Sequence, residues 1–508
     1  MFTLKSLIFL ILSPLLASVI LMCPLFPNLE TYIRRFSKWF SLLHFLYALC
    51  FLVMFQTQNP IIETQEELLI FGNHWLDSLG ISAVFSLDTL SLTMVLLTSF
   101  IFFIAFVMSK RTIKKDFKIY YSMMFLLEMS VLGIFCANDM FLFFLLWELE
   151  LVPMYFLISK WGSENAKRSA MKFLLYTFCG SIFLLAGILL LYFYNYEQTG
   201  VLSGNLNMLN IQENLFDAGL LNTIFLFFLI GFGVKLPIVP LHTWLADAHS
   251  DAPTPVSIIL AAILLKTGAY GILRFNLSLF PDQFINFAPI LMIFAAINCI
   301  YAASIAFAQK DIKRLIAYSS ISQMGIFMVG LFSLTSVGIS GGIFQLVSHA
   351  FIVTGLFIIS GVIYSVYKTR DLTVIQNNVR SMPLFMFVSI PVILSAAGVP
   401  LLSGFISEFL CFVGGFTSAW YNPAYSKLLT SVSIFTIVLS SVYILKLFHS
   451  VFFCSAKNEL PDVNIKGHRL SVLIIIAFIV IILGVFPNLL TDIYSPFIDT
   501  TVDLLGVQ

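Results

Sequence analysis

Apolar residues fill this chain in blocks of roughly twenty, the length at which a helix crosses a hydrocarbon core, and short polar connections separate them. Counting such blocks predicts about fourteen membrane helices, over residues 7–23, 39–55, 81–107, 119–135, 140–159, 173–193, 220–241, 252–275, 284–307, 315–331, 337–367, 385–416, 428–453 and 470–490. The connections test that count by their charge. Basic residues gather in the odd ones: Arg34, Arg35 and Lys38; Lys110, Arg111, Lys114 and Lys115; Lys160, Lys167 and Arg168; Lys310, Lys313 and Arg314; Lys368, Arg370 and Arg380; Lys457, Lys466 and Arg469. Acids occupy even ones, with Glu63, Glu66, Glu67 and Asp77 in the second and Glu197, Glu213 and Asp217 in the sixth. Loops rich in Lys and Arg stay cytoplasmic, so the odd connections face the cytoplasm or its organellar equivalent and both termini face the other side. The first block has one lysine before it and no convincing cleavage site, and reads as a membrane span rather than a signal peptide.

Two blocks break the regular pattern. In the seventh, Lys235 is followed at once by Pro237 and Pro240, so the helix loses backbone hydrogen bonds beside a charge. A polar hinge, His242 to Asp251, comes next; it holds acids but no Lys or Arg and reads as a loop folded inward. The twelfth block repeats the motif weakly, with Gly398 and Pro400 breaking a helix before Glu408. The two breaks lie five spans apart, an odd number, so two five-helix units built around them have opposite topology, the arrangement that puts ion sites at broken helices. The expected organisation is therefore an all-α polytopic membrane protein: N-terminal helices over 1–115, a first repeat over 116–276, a second, inverted repeat over 277–455, and a last helix within 456–508.

Composition narrows the class further. With 59% apolar residues and 10% charged, the chain is no soluble globular domain, and a net charge of +1 gives no long-range field for nucleic acid. The seven cysteines, Cys23, Cys50, Cys136, Cys179, Cys299, Cys411 and Cys454, are scattered and outline neither an iron–sulfur, zinc nor disulfide framework.

The remaining charges therefore matter by position. Asp88, Glu128, Glu148, Glu150, Lys235, Lys266, His349, Glu408, Lys446 and His449 all fall inside or at the ends of spans. Ionisable groups are expensive there and mark ion pathways, and desolvated carboxylates and lysines exchange protons near neutral pH. Near span ends, Asp88, Lys446 and His449 suit capping or snorkelling. Glu128 and Glu150 fit a relay and a structural pair equally. Glu148 and Glu150, two residues apart, point to nearly opposite sides of a regular helix, so at most one faces a given partner. His242 and His249 are separated across a proline-flanked hinge and match no recognised metal-ligand spacing.

The stretches DMFLFFLLWELELVPMYFLI, VKLPIVPLHTWLADAHSDAPTPVS, LLKTGAYGILRF, AFAQKDIKRLIAYSSIS and GFISEF, which cover most of the chain from Asp139 to Gly415, resemble the antiporter-like membrane subunit M of the proton-pumping NADH-quinone oxidoreductase, respiratory complex I. The resemblance implies Glu148 and Lys235 as the paired charges of one half-channel, and the difference of face then gives Glu150 the lesser weight. It further implies Lys266 as the connecting lysine, kept away from lipid, Glu408 as the group at the second break, and His349 on the hydrated axis between Lys266 and Glu408. Two positions depart from the family pattern. Gln323 stands where the family usually has histidine, so a relay there must be bridged through water or bypassed, and Ala246 stands where it usually has proline.

What the resemblance implies is a proton-translocating subunit of an NADH (or ferredoxin):quinone oxidoreductase, with no redox centre of its own. Quinone, FMN and iron–sulfur clusters belong to partner subunits. The expected partners are the other membrane subunits, above all those of L and N type, in a bacterial inner membrane or its mitochondrial or thylakoid equivalent. The same fold also serves an Mrp-type sodium/proton antiporter subunit, and a passive scaffold carrying buried ion pairs is the third reading.

Overall fold

The structure is a computed structural model and describes residues 4–24, 29–58, 69–71, 74–206, 217–375, 383–418, 423–453 and 467–506. Glu63, Glu66, Glu67, Glu213, Arg380, Cys454, Lys457 and Lys466 lie outside the described residues. What is described is nearly all helix. Twelve helices among the described residues are long and apolar enough to cross a membrane. The two expected spans missing from that count correspond to shorter apolar helical segments: Ser6–Met22, and the pair Pro383–Ala396 and Ser403–Thr417 that divides the twelfth block.

Hydropathy erred at one boundary. The expected span over 81–107 does not begin at Ile81: Ile81–Ser82 and Phe85–Leu87 are short strands, paired antiparallel with His74–Leu76 and Leu69–Phe71. Alternating apolar residues there serve an extended backbone rather than a helix. The helix starts at Thr89, where the Asp88 carboxylate accepts the Ser91 N–H at 2.6 Å as an N-cap. Beyond the last span, the chain forms a further helix, Asn488–Leu505.

The chain divides into two compact units: Met1–Lys235 with Asp251–Val256 and Leu264–Phe284, and Leu236–Ser250 with Ser257–Ile263 and Ile285–Gln508. In the first, Ala166–Thr199 packs along Ala218–Lys235, and Leu4–Met22 along Phe117–Cys136. In the second, Ser336–Tyr367 packs against both Ile312–Phe332 and Ser403–Thr417.

Both expected breaks are present. The helix Ala218–Lys235 ends at its lysine, turns follow, and Thr243–Asp251 resumes. Irregular backbone at membrane depth needs partners for its freed polar groups. Asn298 supplies them: its Oδ1 accepts the Val239 N–H at 2.7 Å and its Nδ2 donates to the Pro237 carbonyl at 3.2 Å. At the second break Ser395 Oγ accepts the Gly404 N–H at 3.0 Å and Ser441 Oγ donates to the Ala397 carbonyl at 3.2 Å. Gly398 takes φ +71° in this turn, a conformation that disfavours any residue with a Cβ.

Candidate functional site

In the first unit the site is built from three apolar helices. The fifth span is itself divided, into Met140–Leu149 and Leu151–Trp161, with Glu150 at the junction. Pro153 explains the division, because it has no N–H for the Leu149 carbonyl. Glu150 is fully buried and forms an ion pair with Lys235, itself 1% exposed. The Lys235 ammonium also sits 3.5 Å from the centroid of the Trp147 ring, and the indole N–H of Trp147 is held by Ser181 Oγ at 3.1 Å. The lysine thus has an aromatic face beside it and a carboxylate in contact, which suits a desolvated cation.

The expected pairing of Glu148 with Lys235 is joined by a second carboxylate. The contacting carboxylate is that of Glu150, while Glu148 lies within electrostatic reach of the same lysine. The backbone stays right-handed helical at Glu150, whose N–H reaches the Leu146 carbonyl at 3.2 Å, so a difference of face does not keep either carboxylate from this lysine. Glu148 is half-buried, and among the described residues its Oε1 is enclosed with no hydrogen-bond partner. Two carboxylates therefore act on one lysine.

Lys266 belongs to the same unit. It is wholly enclosed by protein, on Leu265–Gly271, between π-helical stretches at Leu260–Leu264 and Ile272–Leu277. Such widened turns in a buried helix are frequent at functional positions. Near one end of this span Arg274 pairs with Asp88 at 2.6 Å, so Asp88 is both cap and ion-pair partner. Glu128, which the sequence left open, meets a partner that hydropathy gave no reason to select: His44 Nδ1 lies 3.1 Å from its Oε1, and His44 Nε2 lies 2.9 Å from the Leu10 carbonyl.

In the second unit Glu408 sits on Ser403–Thr417, 3% exposed. Among the described residues no cation pairs with it; its side-chain partner is Gln323, whose Nε2 donates to Oε1 at 3.0 Å. His349 is also buried, and it lines a small cavity with Ser319, Gln323 and Tyr443. Its neighbour Ser348 donates to Ser403 at the start of the Glu408 helix, 2.9 Å away.

The polar hinge proves to be a tied helix. In the second unit Asp247 pairs with Arg314, Arg370 donates to the Ser250 carbonyl, and Arg370 also pairs with Asp311 at 3.3 Å. In the first unit Ser163 and Ser169 both donate to the Asp251 carboxylate. The acids that made this connection an exception are thus met by side chains of the basic connections. His242 and His249 take aromatic company: His242 lies edge-on to Tyr301, and His249 stacks on Phe357 with centroids 5.1 Å apart. Lys446 donates to the Phe307 carbonyl at 2.7 Å, a helix-end contact.

Broken helices with buried ionisable side chains, inside an apolar bundle, define the class of antiporter-like membrane proteins. The chain belongs to the family described as NADH:quinone oxidoreductase/Mrp antiporter, transmembrane, which matches residues 137–440. It is 35% identical over 486 residues to NAD(P)H-quinone oxidoreductase chain 4 1 of Picosynechococcus sp., covering 95% of this chain and 89% of that one. It is 36% identical over 428 residues to chain 4 3 of Trichormus variabilis, covering 83% and 78%. Among solved structures it is similar to a chain of respiratory complex I from Thermus thermophilus with bound NADH, with TM-score 0.83, 25% identity and coverage of 98% and 100%. The Mrp complex from Dietzia sp. shares the fold, with TM-score 0.76 at 21% identity over 99% of this chain and 51% of that one.

Proposed function

We propose that this chain is the M-type, proton-translocating subunit of an NADH- or ferredoxin-driven quinone oxidoreductase. The titratable members of its path are Glu148, Lys235 and Lys266 in the first unit and His349 and Glu408 in the second. The observation that carries the reading is Lys235, a buried lysine at a helix break under the influence of two carboxylates. A site of this kind changes its protonation when either carboxylate or its surroundings change, because opposite charges within about 4–6 Å favour each other's charged forms. Glu150 fixes the lysine by direct contact, and Glu148, half-buried and within electrostatic reach of it, exchanges the proton. The redox chemistry, with its FMN, iron–sulfur clusters and quinone, takes place in partner subunits, and the neighbouring membrane subunits are of L and N type. The membrane is a bacterial inner membrane or an organellar equivalent, with both termini on the side away from the basic connections.

The test is Lys235→Ala in the assembled complex in sealed vesicles, measuring quinone reduction and proton uptake together. Both are expected to fall by at least about tenfold, a factor equal to about 1.4 kcal/mol. Lys235→Arg is expected not to rescue them, since a guanidinium does not give up its proton. Wild-type pumping in Lys235→Ala would overturn the reading. The Mrp-type alternative, which rests on the shared fold, predicts instead sodium-dependent exchange with no response to quinone reduction.

A further inference from the structure

The second break carries a feature that charge alone does not reveal. Gln345, 2% exposed on Ser336–Tyr367, donates through Nε2 to Gln323 Oε1 at 2.5 Å and, more loosely, to the Gln323 backbone carbonyl at 3.4 Å. Gln323 in turn donates to Glu408 Oε1. The order of donors in this chain is fixed by chemistry. An ionised carboxylate only accepts, and a carboxyl protonated on Oε2 still accepts at Oε1, so Gln323 presents its NH2 to Oε1, which turns its carbonyl toward the NH2 of Gln345. Two amides in series polarise one another, and the bond to the carboxyl is the one strengthened. The other carboxyl oxygen faces elsewhere: a Cβ built on Gly398 would come within 2.7 Å of Glu408 Oε2, so this atom lies against the turn of the broken helix.

We propose that Gln323 and Gln345 are positioning residues for Glu408, holding Oε1 so that Oε2, at the Gly398 turn, is the atom that takes up and releases the proton. This rests on the reading of Glu408 as a member of the proton path. The transfer balances at one atom: a proton from water binds Oε2 and later leaves from Oε2, and Gln323 keeps both amide hydrogens throughout, because an amide does not titrate near neutral pH. The cavity beside Gln323 supports the same division of labour. It has room for about one water molecule and is lined by Gln323, His349, Ser319 and Tyr443, while Glu408 is not among its lining residues. Position 323 therefore orients and does not relay. Among the described residues, Cys299, Cys411 and Tyr443 lie within electrostatic reach of Glu408, and His349 shares the cavity beside Gln323.

The experiment measures coupled proton uptake against pH in sealed vesicles containing the whole complex, with Gln323→Met, Gln345→Met, the double variant and Glu408→Gln. Losing a hydrogen bond to a charged group displaces the pH profile of uptake by about one unit or more in Gln323→Met. Gln345→Met displaces it in the same sense and by less. In the Gln323→Met background Gln345→Met adds nothing, because its effect passes through the missing amide. Additive effects would assign both residues to packing and overturn the proposal, as would wild-type profiles in both single variants. If Gln323→Met does not assemble, Gln345→Met, which leaves Gln323 in place, decides alone: a displaced profile is expected and an unchanged one overturns the proposal. Glu408→Gln separates the two levels. Normal pumping in it removes Glu408 from the path, whereas lost pumping with unchanged glutamine variants leaves Glu408 in place and removes only the positioning role.

Discussion

The two broken helices solve the same problem with different chemistry. At the first, Lys235 is met by a carboxylate in contact, a second within reach, and the face of Trp147. At the second, Glu408 is met by a neutral amide that is itself held by another. A buried charge is tolerated when it is paired or well hydrogen-bonded, and the two sites take one option each. On the proposed reading the difference has a functional consequence: the first site moves its balance by altering the attraction between charges, whereas the second presents a carboxyl held by amides that do not change their charge.

The largest effect that would break this comparison is expected in the fifth span. Glu150→Gln removes the carboxylate in contact with a buried lysine, and breaking a buried pair from one side costs about 3–5 kcal/mol. The amount of assembled complex is expected to fall sharply. Glu148→Gln leaves the contact intact, so the complex assembles at near wild-type level and coupled uptake is lost. Full assembly of Glu150→Gln together with normal pumping would show that the observed ion pair does not define the site.

The buried pair in the N-terminal helices sharpens the contrast from outside, since Glu128 and His44 both precede the family-matched residues 137–440. It ties the helix Glu30–Gln58 to Phe117–Cys136, and through the Leu10 carbonyl to Leu4–Met22. His44→Ala leaves a fully buried carboxyl without its partner, and the expected loss is on the order of 1–3 kcal/mol, read as a lower thermal midpoint of the complex. The pumping stoichiometry of the molecules that assemble is expected to stay at the wild-type value. A changed stoichiometry with unchanged stability would make this pair a third member of the path.

How far the sequence carried can be judged residue by residue. Spans and breaks were legible because hydropathy and proline act locally: Pro237 and Pro240 follow Lys235 directly, and the helix ends there. The family motifs carried Lys235, Lys266, His349 and Glu408 as candidates, and the structure buries all four. The partner of Lys235 was not legible, because face arithmetic says only that Glu148 and Glu150 diverge and not which neighbour each meets. Strands at 81–87 were hidden because an apolar run reads alike as strand or helix until its cap, Asp88, is recognised. Gln345 was invisible for a different reason: an uncharged amide in a buried helix carries no signal until its neighbours are known.

The smallest expected effect concerns the hinge after the first break, where Ala246 stands in place of the family's usual proline. Ala246 is the fourth residue of Thr243–Asp251, the first whose N–H looks back to a carbonyl of its own helix, so proline there removes at most one hydrogen bond. The carbonyl one turn back, that of His242, accepts the Leu245 N–H at 3.1 Å. The anchors of this segment, Asp247 to Arg314 and the Ser250 carbonyl to Arg370, involve other residues. Ala246→Pro is therefore expected to change stability by less than about 1 kcal/mol, with the reduced freedom of the unfolded chain tending to raise it. Coupled uptake is expected to match wild type. A loss as large as that of Glu150→Gln would mean that the hinge must bend at residue 246 during turnover, and the first site would then depend on backbone motion as well as on its three charges.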